Sequence, residues 1–296
     1  MLYFLQQLLN GLHAGALYAL LAFGYVVING VLHRTNLAYG GVFAFCGHAM
    51  ILATLFGYDV LWLTWPAAIG LGVAAAFFYA WVAGFILSRH VLEPLAGRSP
   101  NSVVAATLAV AIVLMEMSRI AADTKDYWLP PFLSQPIVFA SRPGFQVTLT
   151  VNQLSGCAVA IVILFLGAWT MNRSMFGRSW RAVSDDPVAA AMCGVDGGGV
   201  FRGSVIAGSL IAALAGVLAA LHYGNISFGT GMIYGLKILF VTAAGSYSSP
   251  SRAALGAAAY GIGEALWAGY FAVEWRDAWM LAFLAAVLVL RAPARD

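Results

Sequence analysis

Stretches of about 20 apolar residues, each long enough to cross a hydrocarbon layer as a helix, follow one another along almost the whole chain. They run from Leu5 to Gly30, Asn36 to Phe56, Trp62 to Leu87, Asn101 to Ile120, Leu154 to Met171, Gly203 to His222 and Ala253 to Phe271, with a shorter run from Ala278 to Leu290 closing the chain. Met232 to Ala244 is barely long enough, which predicts a tilted, broken or re-entrant piece whose backbone must be buried in protein. With 62% of residues hydrophobic and 9% charged, against about a quarter charged in soluble domains, the chain is read as an all-α polytopic membrane protein. Residues 1–296 form a single transmembrane domain of about eight to nine transmembrane or re-entrant helices. An external loop at 121–151, rich in Asp123, Lys125, Trp128 and prolines, and a cytoplasmic segment at 172–202 interrupt it. The first apolar run lacks a basic leader and a clear cleavage site, so it reads as a first span.

Arginine sidedness orients the spans, because cytoplasmic connections collect Lys and Arg. With an external N-terminus, alternating crossings place Arg34, Arg89, Arg98, Arg173, Arg178, Arg181, Arg202, Arg252, Arg291 and Arg295 inside. Outside fall Lys125, Arg142 and Arg276, with Arg119 at the edge. The C-terminus is then cytoplasmic. No basic run suits a nucleic acid, and Cys46, Cys157 and Cys193 are too scattered for a metal quartet or a disulfide framework.

The cytoplasmic segment holds the one long polar island, GRSWRAVSDDPVAAAMCGVDGGGV from Gly177 to Val200. Asp186 before Pro187 is an N-cap with proline at the first helical position, and Gly194 suits a left-handed stop. The pattern predicts a capped helix of about two turns. Arg178 and Arg181 share one face of a preceding turn, with Asp185, Asp186 and Asp196 as opposite charge nearby. These arginines satisfy the topology rule by themselves, so the island reads either as a plain linker or as a surface for a partner.

Gly11 and Gly15 form a GxxxG that admits a neighbouring helix. His13 between them reads as a packing residue, and Gly40–Gly41 is expected to loosen or break the second helix near its start. Polar residues Arg89, His90, Glu93, Pro94 and Arg98 read as a connection. Glu116, Lys237 and Glu264 lie within or at the edge of apolar runs, where a charge costs about 2.5–3.5 kcal/mol or more and so needs a partner or water. They either line a polar pathway or, as a buried Lys237–Glu264 pair, fix helix packing. Ser209 and His222 could be drawn as nucleophile and base, but such residues usually satisfy backbone groups in membrane helices.

Three stretches resemble the permeases of branched-chain amino acid ABC importers. The opening fits N-G-x-x-x-G-x-x-Y-A-L-x-A-x-G-Y at Asn10, Gly11, Gly15, Tyr18, Ala19, Leu20, Ala22, Gly24 and Tyr25. Arg181, Ala182, Asp185, Ala190, Gly194, Val195 and Asp196 resemble that family's cytoplasmic coupling loop, and Gly231, Lys237 and the G-I-G-E-A-L run at Glu264 resemble its C-terminal part. The family usually continues N-F-A-H-G-E where this chain has Asn36, Leu37, Ala38, Tyr39, Gly40 and Gly41.

The resemblance implies a non-catalytic permease subunit in the bacterial inner membrane, half of the pathway for branched-chain or hydrophobic amino acids or a related small polar or aromatic solute. It implies a second, homologous permease, two ATPase subunits holding ATP and Mg, and an external solute-binding protein. Arg178, Arg181, Asp185, Asp186, Pro187, Ala190, Gly194 and Asp196 would couple to the ATPase, while Asn36, Tyr39, Gly40, Gly41, Glu116, Lys237 and Glu264 are candidates for the pathway or for buried polar packing. The chain itself carries no cofactor motif: Gly197–Gly199 lacks the lysine and preceding strand of a phosphate loop. The alternative is an autonomous secondary carrier or channel, which the glycine-interrupted spans and midplane charges also suit.

Overall fold

The computed structural model describes residues 2–142, 144–245 and 249–291, so Arg295 lies outside the described residues. Leu2–Leu32 forms α1, Ala38–Asp59 forms α2 and Trp65–Ile86 forms α3. The polar connection expected at Arg89 to Glu93 is helical instead, since α3 continues through a π-helical turn, Leu87–Leu92, into the short α4, Glu93–Leu95. Leu87 and Leu92 point inward while Arg89 and His90 face out, so inward packing carries the helix past its polar residues. Pro100–Ala121 is α5, begun by Ser99, whose side chain accepts from the Ser102 N–H.

The loop at 121–151 contains a β-hairpin that an all-α reading omits: Pro136–Arg142 (β1) pairs antiparallel with Phe145–Thr150 (β2). Val147 and Leu149 are buried on one face, and Gln6 of α1 satisfies the strand, donating to the Thr148 carbonyl (2.9 Å) and accepting its N–H (2.8 Å). Thr150 and Gln153 then form a reciprocal capping box that starts α6, Val151–Arg173. Met175–Asp185 (α7) and Pro187–Met192 (α8) make up the polar island, followed by Gly197–Tyr223 (α9). Thr230–Gly245 (α10), Pro250–Tyr270 (α11) and Arg276–Arg291 (α12) complete the chain.

Among the described residues, six helices are long and apolar enough to cross a membrane: α1, α2, α3 with its extension, α5, α6 and α9. The shorter apolar stretch near Met232 is a continuous helix, not a broken one. At 16 residues each, α10 and α12 rise about 24 Å, less than a hydrocarbon core of about 30 Å.

The helices meet at points where a side chain is missing. Gly11 and Gly15 of α1 lie against Ile262 and Ala258 of α11, and Gly261 returns the contact to Gly15. Gly47 of α2 and Gly216 of α9 do the same for that pair. Small residues at a crossing let backbones approach without opening a void. Gly40 belongs to this set, which corrects its expected role: α2 runs unbroken from Ala38, and a Cβ at Gly40 would meet the Gly231 carbonyl and sit 2.6 Å from the Gly235 Cα of α10. Gly40→Val is therefore expected to lower stability by about 1–3 kcal/mol or more through overpacking. Thermal unfolding in detergent measures it, and an unchanged midpoint would show that α10 has room to move aside.

Candidate functional site

The polar island folds as two short helices joined at Asp186. Its side chain accepts from the N–H groups of Val188 (2.8 Å) and Ala189, Pro187 occupies the first helical position, and Gly194 takes φ +79°, as the sequence predicts. The N–H groups of Gly194 and Val195 close the helix on the carbonyls of Ala191 and Ala190. Asp196 caps the next helix, accepting from the Gly199 N–H at 3.0 Å.

The arginines are arranged differently from the expectation. Arg178 and Arg181 belong to α7, an eleven-residue helix rather than a turn, and neither pairs with Asp185, Asp186 or Asp196 among the described residues. Arg181 donates to the Met171 carbonyl (2.6 Å) and Arg178 to the Arg173 carbonyl (3.3 Å), covering the end of α6. Cationic groups suit a helix C-terminus, where carbonyls lack intrahelical partners.

What holds the pair of helices is Trp180, a residue the sequence reading passed over. Its ring is buried against Gly30 of α1, where a Cβ would collide with it, and its Nε1 donates to the Val27 carbonyl at 2.8 Å. Val183, Ala190 and Val200 join it in a small apolar cluster with Phe23 and Val27. Phe176, Trp180 and Val183 fall at i, i+4 and i+7, the spacing of a buried helix face. α8 thus turns Ala190 inward while Val188 and Met192 stand 63% and 85% exposed. The result is an outward-facing apolar pair on α8, joined to α1 through α7 and the Trp180 cluster.

A second constellation lies among the C-terminal helices. Lys237 Nζ of α10 is 2.8 Å from Glu264 Oε1 of α11 and 2.9 Å from Asp277 Oδ1 at the start of α12. Arg276 Nε lies 3.2 Å from each of the same two oxygens. Two cations and two acids close a neutral square, and Lys237 and Glu264 are both buried. Tyr18, Tyr234 and Tyr260 surround it, with Lys237 5.8 Å over the Tyr234 ring and within 3.5 Å of the Tyr18 hydroxyl. The sequence found the Lys237–Glu264 half. Arg276 and Asp277 escaped because they sit beyond the apolar run, and an acid in a helix's first turn is common for reasons of the dipole alone.

The other candidates separate. Glu116 is outside the buried set: it is half-exposed near the end of α5 and takes both Arg119 nitrogens, at 2.6 and 2.8 Å. Asn36 caps α2, its Oδ1 accepting from the Ala38 N–H at 3.1 Å. Tyr39 is buried against Gly24 and Tyr25. Gly41 touches Ala111 of α5 and lines a small cavity beside it. His13 packs against His222, ring centroids 4.0 Å apart, beside Cys157. Ser209 bonds the Val205 carbonyl and stands about 20 Å along α9 from His222, so the two cannot act as nucleophile and base.

Comparison with known proteins agrees with this architecture. The family described as branched-chain amino acid transport system / permease component matches residues 7–291. The high-affinity branched-chain amino acid transport system permease protein BraD of Pseudomonas aeruginosa is 28% identical over 293 residues, covering 98% of this chain and 94% of its own. The similarly named permease protein LivH is 29% identical over 297 residues in both Salmonella typhimurium and Escherichia coli, with the same coverage.

Proposed function

The chain belongs to the family of branched-chain amino acid transport system permease components, and from that premise we propose that it forms one half of the membrane pathway of an ABC importer driven through α8. The observation that carries the reading is the outward pair Val188 and Met192 on capped α8, which follows α7, the helix that Trp180 ties to α1. Val188 and Met192 are four residues apart and so share one face of α8, and a contiguous exposed apolar patch rimmed by polar residues suits a protein contact. The chain has no phosphate loop, so its energy comes from ATPase subunits that bind ATP and Mg.

In this reading α8 seats in a groove on one ATPase subunit, with Arg178 and Arg181 toward its acidic residues. A second, homologous permease completes the pathway, and a solute-binding protein delivers cargo from outside. The N-terminus is external and the C-terminus cytoplasmic, in keeping with the arginine distribution. The cargo is a branched-chain or hydrophobic amino acid or a related small polar or aromatic solute. Closure of the ATPases displaces α8, and α7 passes the displacement to α1.

Gly194→Val tests the coupling step. No atom lies within 4 Å of a Cβ built there, and φ is +79°, so the substitution strains the backbone alone, by about 1–2 kcal/mol. Solute-stimulated ATP hydrolysis by the reconstituted complex is expected to fall while the basal rate persists. Unchanged stimulation, or solute uptake by this chain without ATPase subunits, would overturn the reading.

A further inference from the structure

Two spaces meet at His48 of α2. On one side is a small, partly open cavity between α2, α5 and the start of α10, about 20 Å³ and bordered by Ser227 and Phe228. On the other is a groove of about 340 Å³ over α2 between α3 and α5, with half-exposed Phe56, Tyr79 and Met117 at its rim. Phe45, His48 and Ser118 line both and form the wall between them. The first space holds about one water. The groove falls within the range of about 300–1,000 Å³ typical of small-molecule sites, which pair apolar walls with a few placed polar groups.

The polar groups at the wall define what could bind. The His48 Nδ1 lies 3.4 Å from the Ile226 carbonyl, which can only accept; we assign the proton to Nδ1 on that contact, which makes Nε2 of the neutral ring an acceptor. That Nε2 is buried and has no partner among the described residues, although buried polar groups are nearly always paired. Ser118 is already engaged with the Leu114 carbonyl. No Lys, Arg, Asp or Glu lines either space. A zwitterion would leave both of its charges unpaired there, at a cost that an uncharged group escapes.

We propose that the α2–α3–α5 groove is a solute position of this permease, and that it takes an uncharged molecule with an N–H or O–H donor on a small apolar body, the donor pairing with His48. The apolar body lies against Phe45, Leu52 and Phe56, and seating the donor requires a rotamer change in the shared wall. The inference rests on the transport reading above and narrows its cargo to the uncharged end.

Equilibrium binding to the detergent-purified complex of this chain with its ATPase partners tests it, with radiolabelled isovaleramide and leucine as probes. These share a branched apolar body and differ in an amide against a zwitterionic head. Isovaleramide is expected to bind at least tenfold more tightly than leucine, and His48→Leu to weaken it at least tenfold. Because His48 is buried, Met117→Trp, which fills the groove from its exposed rim, is the second variant and is expected to abolish binding with the complex intact. Equal or tighter leucine binding, no amide binding, or amide binding unaffected by both variants would overturn the proposal. Copurification of the ATPases separates the two claims: an assembled complex that ignores the amide defeats this inference alone, whereas failure to assemble defeats the transport reading.

Discussion

Lys237→Met is expected to cost about 3 kcal/mol of stability, the lower end of the range for breaking a buried ion pair. Lys237 is buried and shared between Glu264 and Asp277, so its loss leaves an acid in a low-dielectric interior. The lower end applies because Arg276 still lies 3.2 Å from Glu264, and because Asp277, half-exposed, keeps access to water. The diagnostic result comes from the double variant. Lys237→Met with Glu264→Gln removes both buried charges and should recover much of the loss, because the penalty belongs to the orphaned charge. Denaturation in detergent measures both. A double variant as unstable as the single one would show that α10, α11 and α12 depend on the square's geometry and not on its charge balance.

Trp180→Ala should cost about 3–5 kcal/mol locally, the range for deleting a large aromatic from a core. The ring fills the space over Gly30, donates to Val27, and is the largest member of the cluster joining α7 and α8 to α1. Since α7 and α8 lie at the edge of the fold, the loss should appear as opening of residues 175–192 rather than global unfolding. Hydrogen exchange across that segment should accelerate, and solute-stimulated ATP hydrolysis should collapse. Gly30→Leu should reproduce the phenotype from the other side, because its side chain claims the ring's place. Retained protection in both variants would mean that α6 and α9 alone hold the island.

Local signals read well in this sequence and long-range ones did not. Asp186, Pro187 and Gly194 specify the start and stop of α8 through their own backbone chemistry, so neighbouring residues suffice to find it. The hairpin at 136–150 was legible too, in the alternation of Val147 and Leu149, but prolines nearby masked it. Gly40 misled because a glycine's effect depends on what lies opposite. Its partners, Gly231 and Gly235, are almost 200 positions away. Trp180 escaped for the same reason, since its acceptor Val27 lies 153 residues back in the chain.

α1 runs for 31 residues without a proline or a break. Near one end it carries the Trp180 contact at Gly30, and about 18 Å along it Tyr18 touches Lys237 of the charged square. Kinks in helices almost always have a local cause such as proline or a π-bulge, and α1 has neither. The tryptophan contact and the contact to the ionic centre therefore sit on one unbroken helix, so a rigid-body shift of α1 would move both.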